Sequence, residues 1–167
     1  MKTKKIYLTT LVLVFLLTCS TGIQAQTAKP NLDQVKLMPQ RSGTWEATSD
    51  KDTIWVREHQ EYGKAFTANV YYIVKGTKTP YYISNSGFDT KDGKFKGFTL
   101  YAKGNYTTWI GLWTTDKKFS IDGVQNFKPE SVSYKVEYFY ETPTSMTETR
   151  YTAAGVKTLE RKYKKVK

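Results

Sequence analysis

Two charged residues of opposite sign stand two apart in Ser145–Tyr151, where Met146, Glu148 and Arg150 alternate with Thr147, Thr149 and Tyr151. In an extended chain, alternate residues share a face. Pointed inward, Glu148 and Arg150 are tolerable only as a pair or against a polar ligand group. An inward arginine is also suited to holding a carboxylate through two parallel hydrogen bonds. The plainer reading, a strand polar on both faces with Glu148 and Arg150 in solvent, is the expectation. Trp109 and Trp113, four apart, fall on one face with Thr107 and Gly111, as wall of a cavity or as plain core. Tyr134 and Tyr138 recur in the same way, and all four rings, with Arg150, form the candidate ligand-binding set.

Other chemistry finds little support. His59 is the chain's one histidine, and among Arg57, Glu58 and Glu61 it reads as a surface residue. No Gly-x-Ser-x-Gly elbow presents a serine to it. Asp89 and Asp92 sit in a turn and are explained by turn geometry rather than metal ligation. Neither a phosphate-binding loop nor a dinucleotide fingerprint occurs. The sequence thus indicates a protein without catalysis, metal or cofactor.

The elements that carry these residues are strands. From Gly43 onward, about ten short segments follow one another: Thr44–Thr48, Thr53–Gln60, Ala65–Val74, Tyr81–Ser86, Lys94–Ala102, Tyr106–Thr115, Lys118–Gly123, Val132–Tyr140, Ser145–Tyr151 and Val156–Val166. Turn signals separate them, the clearest being Asp89-Thr90-Lys91-Asp92-Gly93. Connections this short favour neighbour-to-neighbour pairing. The expected fold is therefore all-β, a roughly ten-stranded antiparallel up-and-down barrel over 43–167, which removes sheet edges by closing. A leader over 26–42 is expected to hold a short helix from Asn31 to Met38, capped by Asn31 and ended by Pro39.

Residues 1–25 have the layout of a secretory signal peptide: a basic start (Lys2, Lys4, Lys5), an apolar run from Ile6 to Leu17, and a small-residue site at Ile23-Gln24-Ala25. Leu16-Leu17-Thr18-Cys19 is similar to a lipobox, so Cys19 is a candidate lipidation site and an outer-membrane anchor the alternative to a soluble periplasmic or extracellular product. No cysteine lies beyond Cys19, so the folded part forms no disulfide. Of the net charge of +11, three belong to Lys2, Lys4 and Lys5, leaving +8. Six basic residues and one glutamate between Lys157 and Lys167 supply most of it. Nothing accompanies that charge to suggest nucleic acid as a partner; association with an anionic envelope surface is the more fitting consequence. The 13 Tyr, 8 Phe and 4 Trp suit strands, a cavity wall or a glycan-gripping surface equally. The oligomeric state has no sequence signature.

Gly43-Thr44-Trp45 at the opening of the first strand resembles the Gly-x-Trp start of calycins, the superfamily of lipocalins and fatty-acid-binding proteins. The stretch from Ser86 to Phe95, followed by Trp109-Ile110-Gly111-Leu112-Trp113, is similar to a bacterial family of exported lipocalin-like domains, distantly nitrobindin-like. The resemblance covers about 43–166. It implies a barrel in which Gly43 and Trp45 close the floor and a basic residue of the last strand, best placed at Arg161, stacks over Trp45. It also implies a hydrophobic or amphipathic small molecule in the lumen. Nitrobindin-like haem binders use a late histidine that this chain lacks, so haem chemistry is not expected. A surface module that grips glycan or protein through outer aromatics is the alternative.

Overall fold

The computed structural model describes residues 31–50 and 52–167. The signal-peptide and lipidation assignments, including Cys19, and the first residues of the leader lie outside them. Ten strands form one closed antiparallel barrel: β1 (Gly43–Asp50), β2 (Thr53–Tyr62), β3 (Ala65–Val74), β4 (Thr77–Asp89), β5 (Lys94–Tyr101), β6 (Tyr106–Trp113), β7 (Lys118–Val124), β8 (Tyr134–Thr142), β9 (Ser145–Thr152) and β10 (Lys157–Lys165). Each pairs with its neighbours in sequence, and β1 with β10 closes the ring. The all-β, ten-stranded architecture expected from the spacing of turns is what forms, and it is compatible with a calycin-type barrel.

Alternation sets inside from outside. On β8, Val136, Tyr138 and Tyr140 are buried while Lys135 and Phe139 are exposed. β9 follows suit with Met146 and Glu148 buried. Gly43 opens β1 at φ +105°, and a Cβ there would lie 2.4 Å from the Lys167 carbonyl oxygen, so only glycine fits this corner. Gly97 on β5 serves a different need. A Cβ there would stand 2.1 Å from the Trp109 indole, which packs flat across the bare backbone.

Two local expectations are corrected. The leader forms no α-helix over Asn31–Met38; turns lead to a single 3-10 turn, Met38–Arg41. Pro39 sits at its start rather than ending a helix, a position where a missing N–H costs nothing. The Gln34 side chain pairs with the β6 backbone, accepting from Trp113 N–H at 2.7 Å and donating to Trp113 O at 3.1 Å. β4 also begins earlier than Tyr81 and runs through Pro80. That proline lies opposite Tyr71 at a register shift between Val70 and Tyr71, an irregularity that tolerates a missing donor.

The interior is layered. At the end covered by Met38–Arg41, Trp45, Phe66, Phe95, Trp113, Phe119, Tyr140 and Met146 form a buried, largely aromatic floor. Its rings meet edge-on or tilted, as in Trp45–Tyr140 at 5.8 Å and Trp113–Phe119 at 5.3 Å. At the opposite mouth Trp55, Tyr72, Tyr81 and Tyr101 form a partly buried aromatic rim. Between floor and rim lies a polar layer.

Candidate functional site

The polar layer is built on Glu148, whose side chain is 0% exposed. Arg57 Nη1 donates to its Oε2 at 2.9 Å, Tyr163 OH donates to the same oxygen at 3.0 Å, and Arg150 Nε donates to Oε1 at 2.7 Å. Four strand positions on β2, β9 and β10 thus converge because each points inward by the two-residue period. Arg57 Nη2 donates further to Tyr82 OH at 2.9 Å and Tyr138 OH at 2.7 Å. Burial alone would raise the Glu148 carboxyl. The guanidinium charges of Arg57 and Arg150, with the hydrogen bonds from Arg150 and Tyr163, outweigh it and hold the group at about 2. Glu148 is therefore an anion at any physiological pH.

Arg41, the last residue of the 3-10 turn, adds a third cation to the lumen and is 3% exposed. Its guanidinium lies 4.3 Å from the Phe119 ring centroid and 4.6 Å from that of Phe66. These contacts offset part of its desolvation. Its Nε and Nη1 have no hydrogen-bond partner among the described residues. The main chain of Arg41 is fixed from two sides: its carbonyl accepts from Trp45 Nε1 at 2.9 Å and faces His59 Nδ1 at 2.9 Å. Since a carbonyl only accepts, Nδ1 carries the imidazole proton.

A cavity of about 50 Å³ opens between these groups, lined by Arg41, Arg57, Arg150, Tyr82, Tyr138, Trp109 and other side chains. That is room for a few waters or one small polar group. Ser84 and Thr99 line the wall where Thr99 donates to Ser84 Oγ at 2.8 Å and Trp109 Nε1 to the same oxygen at 3.2 Å. Tyr134 closes the mouth side, its hydroxyl 3.4 Å from Thr107 and its pKa pushed up to about 12 by burial.

Four of the five candidate ligand residues meet here: Trp109, Tyr134, Tyr138 and Arg150 all line the cavity. Trp113 does not; it is 1% exposed in the floor. The solvent placement expected for Glu148 and Arg150 is overturned, since both point inward and form a 2.7 Å ion pair, Glu148 wholly buried and Arg150 mostly so. His59 is not a surface residue but 4% exposed, because the alternation of Trp55, Arg57 and His59 sends all three inward on β2. Gly43 forms the tight corner against Lys167 and Trp45 is buried in the floor, yet the cation over Trp45 is the Lys165 ammonium at 5.4 Å. Arg161 stacks instead on Trp55 at 4.2 Å. The register explains this, for Trp45 lies opposite Lys165, four residues beyond Arg161. Sequence reasoning missed Arg41 and Arg57. The alternation of Arg57 with Trp55 could have exposed the second; Arg41 lies outside any strand and carries no pattern.

Burial, then the charges of Arg57 and Arg41, hold the His59 imidazole well below its ordinary value. The unfolded ring takes a proton below about pH 6.5, whereas the folded ring stays neutral. Stability is thus full above pH 6.5 and falls as pH drops below it. Urea unfolding is expected to show a loss of about 1.4 kcal/mol between pH 7.5 and 5.5. His59→Gln should flatten that interval, and an unchanged slope in the variant would refute the assignment. No protein-family model and no curated protein sequence matches this chain.

Proposed function

We propose that the protein is an exported, non-catalytic binding barrel that seats the acid group of a small amphipathic molecule in its lumen. The observation that carries this reading is that three cations, Arg41, Arg57 and Arg150, border one cavity where a single carboxylate, Glu148, pairs with two of them. An uncompensated buried guanidinium is costly, and an anionic ligand removes that cost. The cavity suits a head group rather than a whole lipid or tetrapyrrole. The apolar part of the ligand would rest among Tyr101, Tyr134 and the rim rings, where apolar burial supplies affinity. The resemblance of the Gly43-Thr44-Trp45 opening to calycins, and of the Ser86–Phe95 and Trp109–Trp113 stretches to exported lipocalin-like domains, fits the same reading. Glu148, held ionised and bonded to three donors, is poorly suited to moving protons.

Native mass spectrometry of the protein purified from cells, with solvent extraction of the same sample, tests the reading. A stoichiometric acid-bearing adduct is expected. A clean apo mass, with no uptake from a panel of fatty acids, aromatic acids and haem, would contradict it.

One outer patch supports a second reading, the surface module. Phe98 and Tyr106 stack at 5.3 Å on the outside of β5 and β6, beside exposed Ile83 and Leu100. Substituting Phe98 and Tyr106 would then abolish glycan or envelope binding while leaving lumen ligands unaffected.

A further inference from the structure

The ledger of charge and hydrogen-bond donors in the lumen narrows the head group. Arg41, Arg57 and Arg150 bring three positive charges to one cavity, and among the described residues Glu148 alone bonds to them as an anion. Two positive charges are left without a counter-charge. The unused donors are as telling. Arg41 keeps Nε and Nη1 free, and Arg150 commits only its Nε to Glu148. Tyr82 and Tyr138 accept from Arg57, so their own O–H bonds remain available to donate.

Resting on the proposal of an acid-binding lumen, we infer that the head group is doubly charged: the terminal phosphate of a phosphate monoester, seated between Arg41 and Arg150. A carboxylate has one charge and two oxygens, which a single guanidinium fork satisfies. It would leave the second arginine uncompensated. A phosphate monoester carries close to two negative charges at neutral pH and three strong acceptor oxygens. Two guanidiniums and two phenol hydroxyls match that demand. The cavity volume of about 50 Å³ agrees, since it takes one compact tetrahedral group but not two carboxylates spaced along a carbon chain. The ester-linked remainder faces Tyr101 and Tyr134 toward the mouth, which favours a flat or apolar alcohol portion.

Titration calorimetry at pH 7.5 with phenyl phosphate, phenyl sulfate and benzoate tests this directly. Phosphate and sulfate esters have the same shape and differ in charge. Phenyl phosphate is expected to bind one to one and at least tenfold more tightly than either competitor. Arg41→Gln and Arg150→Gln should each lower its affinity tenfold or more and shrink the preference over sulfate. Arg41→Gln removes an unpaired buried charge, so its urea midpoint should not fall, which separates loss of the site from loss of the fold. Equal or tighter binding of sulfate or benzoate would overturn the doubly charged head group while leaving an acid-binding lumen in place. So would phosphate binding indifferent to both arginine variants. Failure of every acid to bind would overturn both.

Discussion

Glu148→Ala is expected to destabilise the barrel by about 3–5 kcal/mol, the cost of removing one partner from a buried ion pair. Arg57, 2% exposed, would lose its one carboxylate partner among the described residues, and Arg150 and Tyr163 would lose their acceptor on the same side chain. The effect exceeds that of any surface pair here, such as Lys157–Glu160, whose members are about half exposed. Urea unfolding at pH 7 measures it; a loss below about 1 kcal/mol would contradict a buried, charge-coupled cluster. The same carboxylate gives the protein an acid limit. Its folded pKa of about 2 lies below the ordinary 4.5, so its contribution is complete above pH 4.5 and disappears as pH falls toward 2. This window lies below the one set by His59, and the two losses are separable by their variants. Glu148→Gln should weaken the pH dependence below 4.5 and leave the His59 slope intact.

Trp45→Ala is expected to cost a similar 3–5 kcal/mol, because a fully buried indole leaves a void that the floor cannot close. Its consequence for function is more specific. Trp45 Nε1 is one of two groups that fix the Arg41 carbonyl, and with it the turn that aims Arg41 into the lumen. Trp45→Phe retains an aromatic ring against Tyr140 and removes the donor together with part of the buried indole. That variant should lose less stability than Trp45→Ala, about 1–3 kcal/mol for the hydrogen bond and the smaller void, yet bind acids several-fold more weakly. Calorimetry on Trp45→Phe decides the point: unaltered affinity would show that the carbonyl clamp does not position Arg41.

The barrel was legible because its signals are local and repeated. Turn residues recur at short intervals, and alternation such as Val136, Tyr138, Tyr140 against Lys135 and Phe139 needs no knowledge of distant contacts. The site was legible only in halves. Periodicity correctly placed Glu148 and Arg150 on one face, but it cannot say which face looks inward when both are polar. Their partner Arg57 lies 91 residues from Glu148 in the chain and joins it only through barrel closure. Arg161 illustrates a finer limit. Assigning a stacking partner for Trp45 requires the register of β1 on β10, and that pairing puts Lys165 there instead. Arg41 was invisible for a third reason. Its position is set by capping contacts with Trp45 and His59 rather than by any periodic element. In place of the helix expected before it, turns over 34–37 bring the Gln34 side chain to the Trp113 backbone, and Pro39 starts a tight turn.

Side-chain NMR of the arginine Nε–H and tryptophan indole N–H groups during titration with an acid ligand tests the lumen claim most directly. Arg41, Arg150 and Trp109 are predicted to shift together and saturate at one equivalent, with Trp113 in the floor moving little. Shifts confined to the outer face around Phe98 and Tyr106, with the lumen arginines unmoved, would contradict the account.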